Sequence, residues 1–424
     1  MHFPAAVLLF SLFHIPFIIA RPSKRNYDTH DYYVIEHKPG LSDGASLVDV
    51  TQALGVSLVE QAGELKDHWI VRRPKSQSLQ GVDRRGEEQD PVIQRFKDLR
   101  QLATSSLESR SERHQHARRI ANSVPYLEKQ VLRRRTKRAP PSERPPSTAA
   151  DRAVAEKLGI RDPLFPEQWH LINDELPEHS MHVAPVWEMG YTGKGIIASI
   201  IDDGLEYESE DLKDNFVRIP CSALHPSSNP CAFKDAADSY DFNDHEALPT
   251  PKNSDDHHGT RCAGQVAAAR NKACGVGIAY DAKVAGVRIL SGPITDVDEA
   301  AALNYGFQNV SIYSCSWGPP DNGMSMEGPS YLIRKAVVNG INNGRGGKGS
   351  VFVFASGNGA ANGDQCNFDG YTNSIYSVTV AAVDHQGRHP YYSEACAANM
   401  IVAYSSGGNK HIVSGSSDPS RGHR

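Results

Sequence analysis

The stretch "GIIASIIDDG", residues 195–204, is a run of mostly β-branched residues that stops abruptly at two carboxylates and a glycine. A continuous apolar run of this length, bounded by turn residues, fits a strand buried on both faces. Four segments downstream repeat the pattern: "AKVAGVRIL" (282–290), "VSIYSCSWG" (310–318), "GSVFVFASGN" (349–358) and "YSVTVAAVD" (376–384). Helical stretches lie between several of them, including "GTRCAGQVAAAR" (259–270), "DEAAALNYGF" (298–307) and "PSYLIRKAVVNGI" (329–341). Buried strands separated by helices predict an α/β fold, an open and mostly parallel sheet with helices on both faces. Function in such sheets gathers where strands end and helices begin.

Upstream the character changes. Residues 27–75 carry short apolar runs such as "YYVIEH" and "HWIVRR" around a helix-like "SLVDVTQALGV", which predicts a small α+β unit. From about residue 76 to 150 the chain is basic and polar, and it closes in "RRRTKRAPPSERPPSTAA", a cationic run meeting a proline-rich linker. The start, "MHFPAAVLLFSLFHIPFIIARPSKR", reads as a signal peptide over residues 1–20, with a retained membrane anchor as the alternative. No later stretch is apolar enough to span a bilayer. An exposed Lys137-Arg138 before a flexible linker, in a chain entering the secretory pathway, reads as a processing site. The resulting expectation is a pro-domain over 21–138, a linker over 139–160 and a larger domain over 161–413, with 414–424 as a divergent tail.

The net charge of -5 conceals a division: residues 139–424 hold 34 acidic and 22 basic residues, while 1–138 are net positive. An acidic body excludes nucleic acid as a partner and suits a cationic one, its own front half included. Seven cysteines all follow residue 220, so at least one stands outside any internal pair. Cys221 with Cys231, and Cys366 with Cys396, are plausible disulfides; the spacings do not resemble a zinc module.

Three strand-to-helix junctions carry the chemistry. Asp202 ends "IIASIID", His258 opens the helix in "DDHHGTRCAG", and Asn358 follows the strand in "VFVFASGNG". A carboxylate to orient an imidazole, the imidazole as general base and an amide for a developing oxyanion together suit acyl transfer. A metal site at His257-His258 is disfavoured, because adjacent residues at a helix start do not face one point. Cys262 lies one turn beyond His258 on the same face, either as a thiol near the site or as a structural cysteine.

These segments, with "DDGLEYESEDLKDNF", "SCSWGPPDNG" and "CNFDGYTNSIYSV", resemble the kexin/furin branch of the subtilisin-like serine proteases, fungal kexins above all, from about Asp162 to Val413. The resemblance implies a calcium-dependent serine endoprotease of the late Golgi that cleaves precursor proteins after paired basic residues, and its own pro-segment after Lys137-Arg138. It implies His258 as base, Asp202 as its partner and Asn358 as oxyanion donor. Asp321 and Asp369 would take the arginine before the cut, and Asp203 and Asp255, with Asp256 nearby, the preceding lysine. Glu299 and Glu327 would face a basic residue further upstream, and Ser316, Trp317 and Gly318 would pair with the substrate backbone. Calcium would be held by Asp162, Asp211, Asn271, Ala273 and Gly275 at one site, and by Asp364, Glu394 and Asp321 at another beside the Cys366–Cys396 bridge. The sequon at Asn309 is a candidate glycan site. The family's nucleophilic serine should follow "YSSGGNKHIV", yet the sequence there reads "SGSSDPSRGHR". Neither Ser416 nor Ser417 suits that role, because Pro419 and Gly422 oppose a buried helix. The 424-residue chain is therefore expected to lack the nucleophile, and an inactive fragment that binds basic peptides or its own pro-segment is the alternative reading.

Overall fold

The computed structural model describes residues 21–39, 44–75, 90–105, 111–140, 152–173, 175–218, 236 and 238–414. The expected signal peptide, Cys221, Cys231, Ser416 and Ser417 lie outside the described residues.

The first unit is an antiparallel sheet of β1 (His30–Glu36), β2 (Ser57–Gln61), β3 (His68–Pro74) and β4 (Tyr126–Lys129), in the order β2-β3-β1-β4. Three helices accompany it: α1 (Leu47–Leu54), α2 (Pro91–Thr104) and α3 (Glu112–Ser123). Ser46 and Asp49 close a capping box on α1, while Asp90 caps α2 just before Pro91. The sequence reading left the basic stretch after residue 76 without elements. Its apolar positions are few, but Val92, Phe96 and Ile120 fall on one face of each helix and pack against Tyr33, Ile35, Val50 and Val71. Successive residues of a strand point to opposite sides. Tyr32, Val34 and Ile70 therefore face the other way, into a core shared with Val297, Ala300 and Ala301 of the second unit.

The second unit follows a short β5 (Thr136–Lys137) and the helices α4 (Arg152–Leu158) and α5 (Val183–Glu188). Its sheet contains β6 (Ile197–Asp202), β7 (Tyr240–Asp241), β8 (Lys283–Arg288), β9 (Ile312–Cys315), β11 (Val351–Ala355), β12 (Ser377–Val383) and β13 (Ile401–Tyr404). The order is β13-β12-β11-β9-β6-β8-β7 and every pairing is parallel. A two-residue β10 (Trp317–Gly318) stands apart from it. Ile200, Val284 and Ala263 pack on one face with α6 (His258–Ala267). Ile201, Val287, Tyr313 and Phe354 pack on the other with α7 (Asp296–Ala302) and α8 (Tyr331–Gly347). Later strands are added on opposite sides of β6, so the order reverses there, and the end of β6 borders the crevice in which open α/β sheets place their sites. Among the described residues no helix is long and apolar enough to cross a membrane.

His68 lies buried where the two units meet, its ring 6.3 Å from that of Tyr331, and its Nε2 has no hydrogen-bond partner. Burial is the largest influence and holds its pKa below the ordinary 6.5, despite Glu36 and Asp67; Lys335 and Lys38 push the same way as burial. A neutral imidazole favoured by the folded state contributes fully above pH 6.5. That contribution is lost as pH falls below this value, because the unfolded chain then binds the extra proton. Melting temperature should thus fall on acidification, with a shallower slope in His68→Leu. Equal slopes would remove His68 from the account; the remaining slope belongs to groups such as His170, which burial pulls down to about 4.

Candidate active site

Asp202 is the last residue of β6, and both its carboxylate oxygens lie within hydrogen-bond distance of His258 Nδ1, at 2.8 and 2.9 Å. Asp203 explains how the imidazole is held. Its carboxylate accepts from the backbone N–H groups of His258 (3.0 Å) and Gly259 (2.8 Å), and so caps α6. Gly259 is required by close approach: a Cβ there would stand 2.4 Å from Gly204 O and 2.8 Å from the Asp202 Cβ. Burial raises the Asp202 pKa and opposes a charged imidazole, but the adjacent carboxylate prevails and raises the basicity of His258. The two groups therefore titrate as a pair. Cys262 Sγ lies alongside the ring, 3.9 Å from Nε2. Among the described residues no serine hydroxyl is hydrogen-bonded to the imidazole.

The groove beside this pair is filled by the chain's own residues 133–138. β5 pairs antiparallel with β10, Lys137 opposite Trp317 and Thr136 opposite Gly318, and Arg138 N donates to Ser316 O at 2.8 Å. The Arg138 guanidinium is 1% exposed; it donates to Asp369 (2.8 Å), to Asp321 (3.0 Å) and to the carbonyl of Ala355 (2.7 Å). Gly318 makes room for it, since a Cβ there would lie 2.3 Å from the guanidinium. Lys137 Nζ meets Asp203 at 2.8 Å, with Asp256 at 3.7 Å and the Asp255 carboxylate at 3.9 Å. Arg135 donates to Glu299 (2.9 Å), Glu327 (2.6 Å) and the hydroxyl of Tyr371 (2.8 Å). Every acid expected from the sequence to face a substrate thus stands against a cation of residues 133–138. Asn358 Nδ2 donates to the carbonyl of Ala139 at 2.8 Å, one residue beyond Arg138.

Comparisons with known proteins give the family. The subtilase family matches residues 193–422, more than half of the chain. The chain belongs to the subtilase family. Its relatives are kexin/furin-like: it is 53% identical over 260 residues to kexin of Saccharomyces cerevisiae, covering 61% of this chain and 30% of that protein. It is 37% identical over 369 residues to mouse proprotein convertase subtilisin/kexin type 7, covering 86% of this chain and 40% of the relative. The chain thus spans less than half the length of these relatives. Fervidolysin from Fervidobacterium pennivorans shares the fold, with a TM-score of 0.55 at 17% identity, over 89% of this chain and 47% of that one.

Two oxygen-rich clusters in this subtilase suit a hard cation. Carboxylate oxygens of Asp321, Asp364 and Glu394 lie within 4.8 Å of one another, and burial followed by the charge of Asp321 pushes the Glu394 pKa up to about 7. The structure brings Asp162, Asp211 and Asn271 together as well: Asn271 N donates to Asp162 (3.0 Å) and Asn271 Nδ2 to Asp211 (3.2 Å). The second Asp211 oxygen is buried without a hydrogen-bond partner. Ala273 joins that cluster by donating its N–H to Asn271 Oδ1, while Gly275 packs against the Gln168 side chain. Cys366 and Cys396 are bridged. Asn309 is exposed, and its amide donates to Asp238 at 3.0 Å.

Several participants escaped the sequence reading. Tyr371 bonds both Arg135 and Glu299, and Arg288 holds Asp256 at 3.2 Å from behind the lysine pocket. Arg133 adds a further contact, 3.4 Å from Asp296 and 3.5 Å from Glu327. The run "RRRTKR" was a visible signal for Arg133, as for Arg135; nothing local marks Tyr371 or Arg288.

Proposed function

We propose that this subtilase is a kexin-like, calcium-dependent serine endoprotease that cuts secretory precursors after Lys-Arg or Arg-Arg pairs, and that Lys137-Arg138 is its own processing site. The seat of Arg138 carries this reading. A guanidinium enclosed by two carboxylates and a backbone carbonyl satisfies its donors in a way no neutral side chain can, and Asp203 with Asp256 answers the preceding lysine. The name of a Yarrowia lipolytica relative, dibasic-processing endoprotease, points the same way.

In this mechanism a substrate strand adds antiparallel to Trp317–Gly318, and its arginine fixes the register. His258 Nε2 takes the proton of the attacking hydroxyl, Asp202 stabilises the imidazolium, and Asn358 donates to the carbonyl oxygen as charge develops. The amide now meets Ala139 O, so a shift of one carbonyl brings it to Arg138 O. Calcium, when bound by Asp321, Asp364 and Glu394, would offset the mutual repulsion of carboxylates beside the arginine pocket. Asp162, Asp211 and Asn271 would hold a second ion.

The seating of residues 133–138 in the groove supports a companion reading. The 424 residues alone hold a basic strand, their pro-segment, as an intramolecular inhibitor and do not cut it. A chimera joining this chain through Val413 to the remaining segment of Saccharomyces cerevisiae kexin separates the two. The chimera should cleave a Lys-Arg reporter peptide in calcium, and the 424-residue chain should leave it intact. A chimera that prefers apolar residues before the cut would overturn the first reading. Turnover by the 424-residue chain that disappears in His258→Ala would overturn the second.

A further inference from the structure

The sequence contains two Lys-Arg pairs, and the first, Lys24-Arg25, lies far from the cleavage groove in sequence and belongs to no helix or strand. Arg25 is nonetheless buried, its side chain 2% exposed. One guanidinium nitrogen donates to Asp298 on α7 of the second unit, and the other to Glu60 on β2 of the first, at 3.1 Å. The socket is built on both sides. Glu60 also accepts from the backbone N–H of Ser23 (2.9 Å) and from its hydroxyl (2.7 Å). The second Asp298 oxygen accepts from the hydroxyl of Thr295, the residue that caps α7. Two tyrosines flank the segment: Tyr240 donates to the carbonyl of Pro22 at 3.0 Å, and Tyr27 to Thr295 at 3.4 Å.

The position on α7 gives the contact its meaning. The first turn of that helix presents Asp296, Asp298 and Glu299 in succession, and each meets an arginine from the chain's front half: Arg133, Arg25 and Arg135 respectively. Two of these arginines, Arg133 and Arg135, lie on the segment seated in the groove. Arg25 lies outside that segment, in a pocket that needs both units to exist.

We infer that Asp298 and Glu60 form a guanidinium socket outside the cleavage groove, and that Arg25 seated in it latches residues 21–27 across α7. A polypeptide presenting an arginine is the partner such a socket takes. Release of the front half from the second unit then requires two separable events, departure of residues 133–138 from the groove and unlatching of Arg25. The inference does not depend on whether the chain cuts peptides.

Hydrogen exchange followed by mass spectrometry on the full 424-residue chain tests it. Arg25→Gln should raise exchange of residues 22–27 roughly tenfold or more, the scale set by losing hydrogen bonds to a charged group. Exchange in β1 and in residues 133–138 should be unchanged. Asp298→Asn, on the opposite unit, should loosen the same residues, and Arg25→Lys should retain part of the protection because it keeps the charge and loses the fork. Unchanged exchange at 22–27 in Arg25→Gln or in Asp298→Asn would overturn the latch. So would a rise spreading through β1 and β3, which would make Arg25 a residue of the first unit's own fold.

Discussion

Replacing Asp369 with alanine will expose the strand that ends in Arg138 to proteolysis. The guanidinium it faces is 1% exposed, and three acceptors share it: Asp369, Asp321 and the Ala355 carbonyl. Removing one carboxylate from a buried ion pair leaves charge without full compensation, which costs about 3–5 kcal/mol when nothing can move. This strand can move, because β5 is only two residues long and its backbone anchors are few: the short pairing with β10, Arg138 N on Ser316 O, and Arg133 with Ile294. The loss is therefore expected as undocking of residues 133–138, with a smaller fall in melting temperature. A cost near the lower limit corresponds to a roughly hundredfold rise in the open population. Trypsin cleavage after Arg133, Arg135 and Arg138, timed by mass spectrometry, reads that population. Asp255→Asn is the contrast: its side chain is 78% exposed and lies 3.9 Å from Lys137, so the rate should change only a few-fold. Equal cleavage rates in Asp369→Ala and the parent chain would remove Arg138 as the strand's principal anchor.

How far the sequence carries this picture depends on the range of each interaction. The parallel sheet was legible because β-branched runs such as "IIASIID" state their burial locally, and the residues that end them sit at the reversal of strand order. Asp202 and His258 were legible by resemblance, and so were the acids that receive Arg135, Lys137 and Arg138. The helices α2 and α3 were not, because a handful of apolar side chains among many charges suffices once a sheet already offers a face. Asp203 showed only half of its part: the lysine contact was expected, but its capping of α6 depends on the loop between β6 and that helix. Tyr371 and Arg135 are 236 residues apart in the chain, and no local pattern joins positions at that distance. The Arg25 socket was illegible for the same reason, since each of its walls belongs to a different unit.

The pairing of Asp202 with His258 sets the largest effect on rate. In the kexin chimera, Asp202→Asn should reduce turnover by about ten-thousandfold, the loss typical when the orienting carboxylate of such a triad becomes an amide. His258 Nδ1 now meets two carboxylate oxygens at 2.8 and 2.9 Å, which fixes the proton on Nδ1 and leaves Nε2 as the acceptor. An asparagine that turns its N–H toward the ring imposes the opposite tautomer, and Nε2 can then no longer take a proton. The change also moves the pH profile in a stated direction. Burial opposes a charged imidazole, and the Asp202 carboxylate is the principal influence raising its basicity. Without that carboxylate burial is opposed only by Cys262, the basicity of the imidazole falls, and the acid limb of the residual activity should shift toward acid. Because a structural defect would lower the rate without moving that limb, the pH–rate profile separates the two causes. A loss below tenfold, or an acid limb that stays in place, would mean that Asp202 does not govern the base.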